Sequence, residues 1–498
     1  MRTITHFIDG ASAPHPGRTS DVFHPSTGQV QAQVELADLD LLNRAIASAK
    51  AAQPAWAAMN PQRRSRIMFN FRSLIEANMQ ELAELLASEH GKVVSDAKGD
   101  VQRGLDVVEF ACGIPQLLKG EYTEGAGPGI DVYSMRQPLG VAAGITPFNF
   151  PAMIPLWMMA PAIACGNAFI LKPSERDPSV PVRLAELMIE AGLPKGVLNV
   201  VHGDKMVVDG ILDHPDIKAV SFVGSSDIAQ YVYGRGASNG KRMQCMGGAK
   251  NHGIVMPDAD IDQAVADILG AAYGSAGERC MALPVVVPVG DQTAEVLRGK
   301  LIEGIETLRV GISTDDEAHY GPVISAQHKA RIENYIQMAV DEGSELVVDG
   351  RGFSLQGYEE GYFLAPTLLD KVTPQMKSYQ EEIFGPVLQI MRAQTLEEAV
   401  GYATDHQYGN GVAIFTRNGN AARQFAASVE VGMVGINVPI PVPVSYHSFG
   451  GWKRSGFGDL DQYGMDGIRF YTRTKKVTQR WPSGGSVIDQ SFVIPTMQ

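Results

Sequence analysis

The residue best suited to nucleophilic chemistry is Cys280, which follows glycines, small residues and an arginine. The local sequence is Gly274-Ser275-Ala276-Gly277-Glu278-Arg279-Cys280-Met281-Ala282. Small residues allow the backbone to approach the sulfur, and the positive charge of Arg279 favours the thiolate, which is the nucleophilic form of cysteine. A lone cysteine is more often buried and inert. This stretch alone therefore leaves both interpretations open.

A second candidate is Asn149, in the segment Thr146-Pro147-Phe148-Asn149-Phe150-Pro151. The segment follows a predicted strand, Gly140–Ile145, and ligands bind at the carboxyl ends of strands in parallel sheets. An amide donor in an apolar setting can stabilise a developing oxyanion. The alternative is a turn residue whose side chain bonds to its own backbone, as asparagine often does.

Three further motifs place polar groups at strand ends. They are Leu171-Lys172-Pro173-Ser174-Glu175-Arg176, Phe222-Val223-Gly224-Ser225-Ser226-Asp227-Ile228 and Gln380-Glu381-Glu382-Ile383-Phe384-Gly385-Pro386-Val387. Lysine and glutamate side chains can bind ribose hydroxyls, and a helix N-terminus with small residues suits a pyrophosphate. Each motif is also compatible with an ordinary loop or a helix N-cap, and none is the GxGxxG fingerprint.

The elements that must position these residues alternate between strands and helices. Helical spacing covers 40–58 and 62–98. After about residue 139, short apolar runs alternate with helical stretches, and the pattern restarts after about 250, with helices predicted at 261–273 and 291–306. Such alternation predicts βαβ units and parallel sheets. The fold class predicted is therefore α/β, with two parallel-sheet lobes that meet near 245–250. The segments 121–136 and 470–479 have the pattern of exposed edge strands, which need partners.

Composition narrows the classes of function. The chain has 498 residues, too many for one hydrophobic core, with 45% apolar and 19% charged residues. A net charge of -13 argues against a nucleic-acid surface. The four cysteines lack metal-ligand spacing, so we expect no metal site, no disulfide framework and a cytoplasmic, reducing environment. The charge-free stretch from Pro138 to Leu171 is long enough to span a bilayer, but prolines and polar residues interrupt it, so we expect it to be buried in the protein.

In this order along the chain, the motifs resemble the aldehyde dehydrogenase superfamily from end to end. They are TPFNFP, LKPSE, FVGS, the cysteine segment, EEIFGPV and Phe449-Gly450-Gly451-Trp452-Lys453-Arg454-Ser455-Gly456. The resemblance implies an NAD(P)-dependent enzyme with Cys280 as nucleophile and Asn149 as oxyanion donor. It also implies a cofactor site formed by Thr146, Phe148, Lys172, Glu175, Arg176, Ser225, Gly247, Glu382 and Phe384.

Within that implied site, each residue has an expected partner on the cofactor. Lys172 and Glu175 would hold the adenosine ribose and Ser225 the pyrophosphate. Glu382 would hold the nicotinamide ribose, and Phe384 would pack beside the ring. A carboxylate at Glu175 repels a 2′-phosphate, so we expect NAD rather than NADP, although Lys172 and Arg176 act in the opposite direction.

The chain departs from the hydrolytic members of the superfamily before Cys280. Those members carry a glutamate in an ELGGK-like segment, which activates water. The corresponding residues here are Gln244-Cys245-Met246-Gly247-Gly248-Ala249-Lys250-Asn251-His252, and neither Cys245 nor Met246 is a carboxylate. A general base contributes about 10²–10⁴ in rate, so hydrolysis is expected to be slow. A thiol ionises far more readily than water, which makes coenzyme A the expected acceptor.

The segments GAKNH, TPFNFPAMIPLWM and GERCMA resemble the CoA-acylating methylmalonate- and malonate-semialdehyde dehydrogenases. This likeness implies oxidation and decarboxylation of the semialdehyde with transfer to CoA, giving propionyl-CoA or acetyl-CoA. Arg103 and Arg279 resemble the pair that binds the substrate carboxylate. Alternatively, Arg103 lies on a helix surface near Asp106, and Arg279 serves the thiolate or pairs with Glu278. A hydrolytic semialdehyde dehydrogenase with another base, and a silent binding protein, stay open as alternatives.

The resemblance also implies a domain organisation and an assembly. Residues 1–121 and 137–245 would form the NAD-binding domain, and 246–468 the catalytic domain. Residues 122–136 and 469–490 would form oligomerisation strands of a homotetramer.

Overall fold

A computed structural model describes residues 2–481 of the protein. The last part of the predicted C-terminal segment, 482–490, lies outside the described residues. The strands of residues 2–481 are β1 (Arg2–Ile4), β2 (His6–Ile8), β3 (Ala11–Ala13), β4 (Thr19–His24), β5 (Gln29–Glu35), β6 (Tyr122–Gly127), β7 (Ile130–Pro138), β8 (Val141–Ile145), β9 (Ala168–Lys172), β10 (Leu198–Val200), β11 (Ile217–Val223), β12 (Arg242–Met246), β13 (His252–Val255), β14 (Val285–Pro288), β15 (Glu345–Val348), β16 (Thr367–Asp370), β17 (Val387–Ile390), β18 (Tyr408–Gly409), β19 (Gly411–Phe415), β20 (Met433–Ile436), β21 (Trp452–Lys453), β22 (Gly456–Phe457) and β23 (Thr472–Arg480).

The helices of the same residues are α1 (Leu39–Ala58), α2 (Pro61–Ala77), α3 (Met79–His90), α4 (Val94–Cys112), α5 (Ile114–Leu117), α6 (Met153–Ala164), α7 (Ser179–Glu190), α8 (Lys205–Asp213), α9 (Ser226–Ser238), α10 (Ile261–Tyr273), α11 (Asp291–Glu306), α12 (Ala326–Asp341), α13 (Lys377–Gln380), α14 (Leu396–Asp405), α15 (Gly419–Ser428) and α16 (Gly464–Phe470). A short 3-10 turn, Gly274–Gly277, follows α10.

The region 62–98, which has helical spacing throughout, is divided among α2, α3 and α4. Asn60 caps α2 by accepting the backbone N–H of Arg63, and Pro61 occupies the first helical position, where its missing N–H costs nothing. The helices then break at Asn78 and at Gly91, whose φ of 97° lies in the left-handed region that glycine tolerates. The second break places Lys92 between two helices, which matters for the site.

Two large sheets confirm the predicted α/β class. The first has the order β22-β12-β11-β8-β9-β10-β2-β3, and the pairs from β12 to β10 are parallel. The second has the order β15-β16-β17-β14-β13-β19-β20 and is parallel except at β15. The chain passes from the first to the second between β12 and β13, at residues 247–251. Separate apolar cores pack on the two faces of the first sheet and around the second.

The charge-free stretch is buried as predicted. It forms β8, α6 and β9, and every residue of α6 is buried in the apolar core on one face of the first sheet. Within residues 2–481, no helix is both long and apolar enough to cross a membrane.

The two predicted edge strands pair with each other. β7 and β23 are antiparallel over nine residues, from Thr472 opposite Pro138 to Arg480 opposite Ile130. With β6 they form a separate three-stranded sheet whose side chains are largely exposed or half-buried in the single chain. Their use in assembly stays a prediction.

Candidate active site

Four of the predicted cofactor-site residues lie at the carboxyl ends of neighbouring strands in the first sheet. Thr146 follows β8, Lys172 ends β9, Ser225 follows β11 and Gly247 follows β12. These strands are neighbours in the sheet, and the backbone N–H of Thr146 donates to the carbonyl of Lys172 at 3.1 Å. The parallel topology therefore brings together residues that are up to 101 positions apart in sequence.

Cys280 follows an irregular turn. After α10, Ser275, Ala276 and Gly277 have φ values of 54°, 52° and 72°. The turn ends with the carbonyl of Cys280, which accepts hydrogen bonds from the side-chain amides of Asn251 and Asn410, both at 3.0 Å. Both asparagines are buried, and they fix the backbone that carries the thiol. Sequence reasoning did not find either role, because the contacts span 29 and 130 positions.

Besides a small pocket of about 20 Å³, two larger cavities meet at Cys280. One, of about 180 Å³, is lined by Phe148, Asn149, Ser225, Gly247, Gly248, Glu382 and Phe384 among others. The other, of about 330 Å³, is lined by Asp96, Asp100, Arg103, Trp157, Arg279 and Phe449 among others. We call them the cofactor-side and the substrate-side cavity. A larger cavity of about 640 Å³ near β7 contains none of the predicted site residues.

The thiol of Cys280 is protonated at neutral pH. Burial and the nearby charge of Glu382 raise its pKa to about 12, while backbone hydrogen bonds and Arg279 act in the opposite direction. Arg279 thus lowers the pKa of the thiol, which is the predicted direction, but burial raises that pKa by more.

Asn149 is held by a buried ion pair. Lys92 Nζ donates to the backbone carbonyl of Asn149 at 2.8 Å and lies 3.3 Å from Asp100 Oδ2. Asp100 Oδ1 accepts the backbone N–H of Met153 at 2.7 Å, and Lys92 Nζ lies 4.4 Å from the centre of the Phe150 ring. These contacts anchor the loop at Asn149 and at the start of α6. Burial raises the pKa of Asp100 to about 6, even though Lys92 opposes the shift.

The side-chain amide of Asn149 makes no hydrogen bond to any residue in the range 2–481, so it does not cap its own turn. Asn149 and Cys280 line the same cavity. The amide is therefore free to donate to an oxygen bound beside the thiol.

Phe148 and Phe384 form an aromatic wall of the cofactor-side cavity. Their ring centres lie 5.9 Å apart, and the guanidinium of Arg176 lies 5.4 Å from the Phe148 ring. Phe384 has a positive φ of 62°, and its carbonyl is 2.7 Å from Nε2 of His328. This hydrogen bond holds a backbone conformation that a phenylalanine rarely adopts.

Glu278 lies behind this wall and does not pair with Arg279. It is fully buried, its Oε1 accepts the backbone N–H of Ile324 at 3.1 Å, and His328 lies 3.5 Å away. Burial raises the pKa of Glu278 to about 8, so it is largely protonated at neutral pH.

Several features of the cofactor-side residues suit a dinucleotide. The buried hydroxyl of Thr146 has no hydrogen-bond partner, and Ser225 precedes α9 without capping it through its side chain. A Cβ on Gly247 would lie 2.5 Å from the backbone carbonyl oxygen of Arg454, so this position requires glycine, and one on Gly248 would lie 2.6 Å from Glu382 Oε2 and would displace that carboxylate. An unpartnered hydroxyl, a helix N-terminus and closely approaching backbone together fit a pyrophosphate.

Two carboxylates complete this side. Glu382 Oε1 accepts the backbone N–H of Ala249 at 2.9 Å, and burial raises the pKa of Glu382 to about 7. Glu175 pairs with Lys172 at 3.0 Å near the end of β9. Lys172, Glu175 and Arg176 do not line the cavity next to Cys280 and instead lie further along the sheet edge.

Both predicted carboxylate-binding arginines line the substrate-side cavity. The guanidinium of Arg103 donates to the carbonyls of Val442 and Pro443 at 3.3 and 3.2 Å. Arg279 pairs with Asp96, with Nη2 and Oδ1 2.6 Å apart. Asp106, the alternative partner for Arg103, instead accepts a hydrogen bond from Gln102. The sequence did not indicate Asp96, which lies 183 positions from Arg279.

No general base occupies either of the two aligned positions. Met246 packs in the apolar cluster that Cys280 also contacts, whereas Cys245 is buried on the other face of the first sheet. In the described part of the chain, no group of histidine, cysteine or acidic residues is arranged to hold a metal ion.

Comparisons with known proteins cover nearly the whole chain. The model of the aldehyde dehydrogenase family matches residues 12–477. A malonate-semialdehyde dehydrogenase of Pseudomonas aeruginosa is 55% identical over 497 residues, covering 100% of both chains. An Arabidopsis thaliana mitochondrial methylmalonate-semialdehyde dehydrogenase, named as acylating, is 50% identical and covers 96% of this chain and 78% of the relative. A Sinorhizobium meliloti protein crystallised with NAD is 63% identical, with a TM-score of 0.96, and the match covers 97% of this chain and 99% of that one.

Proposed function

The chain belongs to the aldehyde dehydrogenase family, and on that premise we propose that it oxidises malonate semialdehyde or methylmalonate semialdehyde with NAD and transfers the acyl group to coenzyme A. The observation that carries the proposal is the setting of Cys280, which is open on one side to a cavity with two guanidinium groups. The names of the relatives from Pseudomonas aeruginosa and Arabidopsis thaliana support the substrate class, and the second name supports acylation.

The chemistry begins at Cys280. The thiol gives up its proton to water in the open cavity, the sulfur attacks the aldehyde carbon, and the free amide of Asn149 donates a hydrogen bond to the oxygen as negative charge develops there. Lys92 and Asp100 hold the loop, so the amide is in place before the reaction and needs no reorganisation. NAD, when bound, supplies the oxidising step that converts the adduct into a thioester on Cys280.

The substrate carboxylate makes loss of CO₂ available to this thioester. The carboxylate is β to the thioester carbonyl, so breaking the bond between the α-carbon and the carboxylate leaves an enolate whose charge lies on the carbonyl oxygen. Asn149 can stabilise that oxygen as it stabilised the first oxyanion. Transfer to CoA then gives acetyl-CoA from malonate semialdehyde, or propionyl-CoA from the methyl homologue.

CoA is proposed to reach Cys280 from the cofactor side. The acyl chain and its carboxylate occupy the substrate-side cavity with Arg103 and Arg279, so the open approach to the sulfur is through the other cavity. Hydrolysis is disfavoured because Met246 and Cys245 provide no base at the aligned positions.

The finer features of the proposal concern the cofactor and the setting. Glu175 near the adenosine ribose favours NAD over NADP. A homotetramer is proposed through the sheet of β6, β7 and β23. Roles in the breakdown of valine and β-alanine are proposed with the two substrates, and a cytoplasmic location stays a prediction.

The decisive test is product analysis. The purified protein is incubated with NAD and malonate semialdehyde, with and without CoA, and products are identified by mass spectrometry. We expect acetyl-CoA, and NADH formation beyond one equivalent of enzyme only when CoA is present. Rapid release of free carboxylic acid without CoA would support the hydrolytic alternative instead. Cys280→Ala is the control, and turnover that persisted in it would point to a protein that does not use this cysteine.

A further inference from the structure

The two arginines of the substrate-side cavity differ in their charge environment. Arg103 is held only by backbone carbonyls, those of Val442 and Pro443, so its positive charge is not neutralised by any carboxylate of residues 2–481. Arg279 is paired with Asp96 at 2.6 Å. A carboxylate that enters this cavity therefore meets the guanidinium of Arg103, which has no acidic partner there, and the guanidinium of Arg279, which is already paired with Asp96.

The Asp96–Arg279 pair is built into the cavity wall. Only 19% of the Asp96 side chain and 20% of the Arg279 side chain are exposed, so the pair is not a mobile surface contact. A Cβ on Gly274 would lie 2.7 Å from Arg279 Nη1, which shows that the guanidinium packs directly against the backbone. Asp96 Oδ2 is buried and has no hydrogen-bond partner. Arg279 is thus fixed in place with an acid beside it.

Tight binding of a carboxylate opposes its loss. During decarboxylation, negative charge moves from the carboxylate to the enolate oxygen near Asn149. Cations that hold the carboxylate stabilise the starting state and lose that interaction as CO₂ forms, so they raise the barrier. A negative charge near the carboxylate has the reverse effect, and it acts strongly where water is partly excluded.

We propose that Asp96 controls whether the substrate carboxylate is retained or lost: it offsets the charge of Arg279, so that Arg103 recognises the carboxylate while CO₂ can still leave. The proposal rests on the proposed function, since it concerns the thioester formed on Cys280. In the step concerned, the bond between the α-carbon and the carboxylate breaks, and its electron pair passes to the thioester carbonyl. CO₂ leaves, and the α-carbon then takes a proton from water.

A structural role for Asp96 makes a different prediction. Asp96 lies in the first turn of α4, where an acid interacts favourably with the helix dipole. Its removal would then lower thermal stability without changing which product forms. The ratio of the two CoA esters separates the roles, because only an effect on the carboxylate changes it.

The experiment uses full-length enzyme, NAD, CoA and malonate semialdehyde, and it measures malonyl-CoA and acetyl-CoA by mass spectrometry. Asp96→Asn is expected to lower KM and to slow CO₂ loss by about tenfold, or about 1.4 kcal/mol of barrier. CoA would then capture acyl groups that still carry their carboxylate, and malonyl-CoA would appear. Asp96→Ser removes the same charge and should behave alike, while Asp96→Glu should restore acetyl-CoA as the main product.

The matched control is Asp106→Asn, which removes an acid from the same helix outside the cavity. Its product ratio should equal that of the unchanged protein. Acetyl-CoA alone from Asp96→Asn and Asp96→Ser, at unchanged KM, would overturn the role of Asp96. Failure of the unchanged protein to form acetyl-CoA would instead overturn the proposed function itself, so the two failures are distinguishable.

Discussion

The proton on Cys280 limits the reactivity of the resting protein. Because its pKa is raised to about 12, we expect alkylation of Cys280 in the cofactor-free protein to accelerate about tenfold for each pH unit between 8 and 10, where Glu382 stays charged. Glu382→Gln removes a negative charge that raises this pKa, so alkylation should be faster in the variant. Mass spectrometry of iodoacetamide-treated protein measures the rate, with Cys280→Ala as the blank.

The effect of Glu382 on the alkylation of Cys280 should itself depend on pH. The pKa of Glu382 is raised to about 7, so Glu382 is charged above that pH and neutral below it. The difference between the unchanged protein and Glu382→Gln should therefore be present at pH 8 and small at pH 6. Glu381→Gln is the neighbouring control, because Glu381 is not among the main groups that shift the pKa of Cys280. Equal rates for Glu382→Gln and the unchanged protein at pH 8 would contradict the electrostatic account.

At the same scale, the sequence indicated the reactive side chains better than their partners. Cys280, Asn149, Arg103 and Arg279 could be identified from motifs, and the structure brings them to two adjoining cavities. The contact of Asp96 with Arg279 could not be predicted, because it joins α4 to the distant segment after the turn that follows α10 and depends on how the lobes pack. Local charges suggested Glu278 instead, and that residue is buried behind the aromatic wall.

Among the elements, the turn after α10 is the one most directly coupled to the thiol. Gly277 has a φ of 72°, and a Cβ there would overlap the backbone carbonyl of Gly385. Gly277→Ala is expected to lower the free energy of unfolding by at least about 1–2 kcal/mol, since a left-handed backbone alone costs that much, and to reduce kcat by displacing Cys280. Chemical denaturation and initial rates measure the two effects.

Gly270 provides a matched control for this prediction. It lies in the last turns of α10, and a Cβ there would meet no atom within 4 Å. Gly270→Ala should stabilise the protein by about 0.5–1 kcal/mol, because alanine is the better helix former. An equal effect of both substitutions would show that the backbone conformation at Gly277 is not required.

The ends of a helix could be predicted from the sequence where the capping residue lies next to the helix in the chain. The predicted helices 261–273 and 291–306 match α10 and α11, and Asp260 caps the first by accepting the N–H of Gln263. The helix ends within the region 62–98 were not predicted, because the apolar spacing continues through the two breaks. Gly91 ends α3 with a left-handed backbone, and the loop that follows is determined by the buried contact of Lys92 with Asn149, which is a tertiary interaction.

For the whole molecule, the exposed sheet of β6, β7 and β23 leads to a prediction about assembly. A chain that ends after Thr472 lacks most of β23 but keeps the Thr472 carbonyl that accepts from Arg242 at 2.6 Å. We expect its mass in solution, measured by light scattering, to fall below that of the full chain. This follows because edge strands and a two-faced exposed sheet need partners.

The comparison requires a second truncation. A chain that ends after Trp481 retains β23 and removes only residues beyond the described range. It should assemble as the full chain does. If the chain ending after Thr472 also kept the full mass, the sheet would not be the assembly surface.

The first sheet has a further consequence for how the protein is made. Its outer strands come from opposite ends of the chain, since β2 and β3 begin near residue 6 and β22 begins at residue 456. The ribosome must therefore synthesise more than nine-tenths of the polypeptide before this layer can be completed. Contacts between such distant segments form slowly, and the unfinished edge beside β12 stays open during synthesis. Nascent chains are accordingly expected to depend on chaperones until the last segment is released.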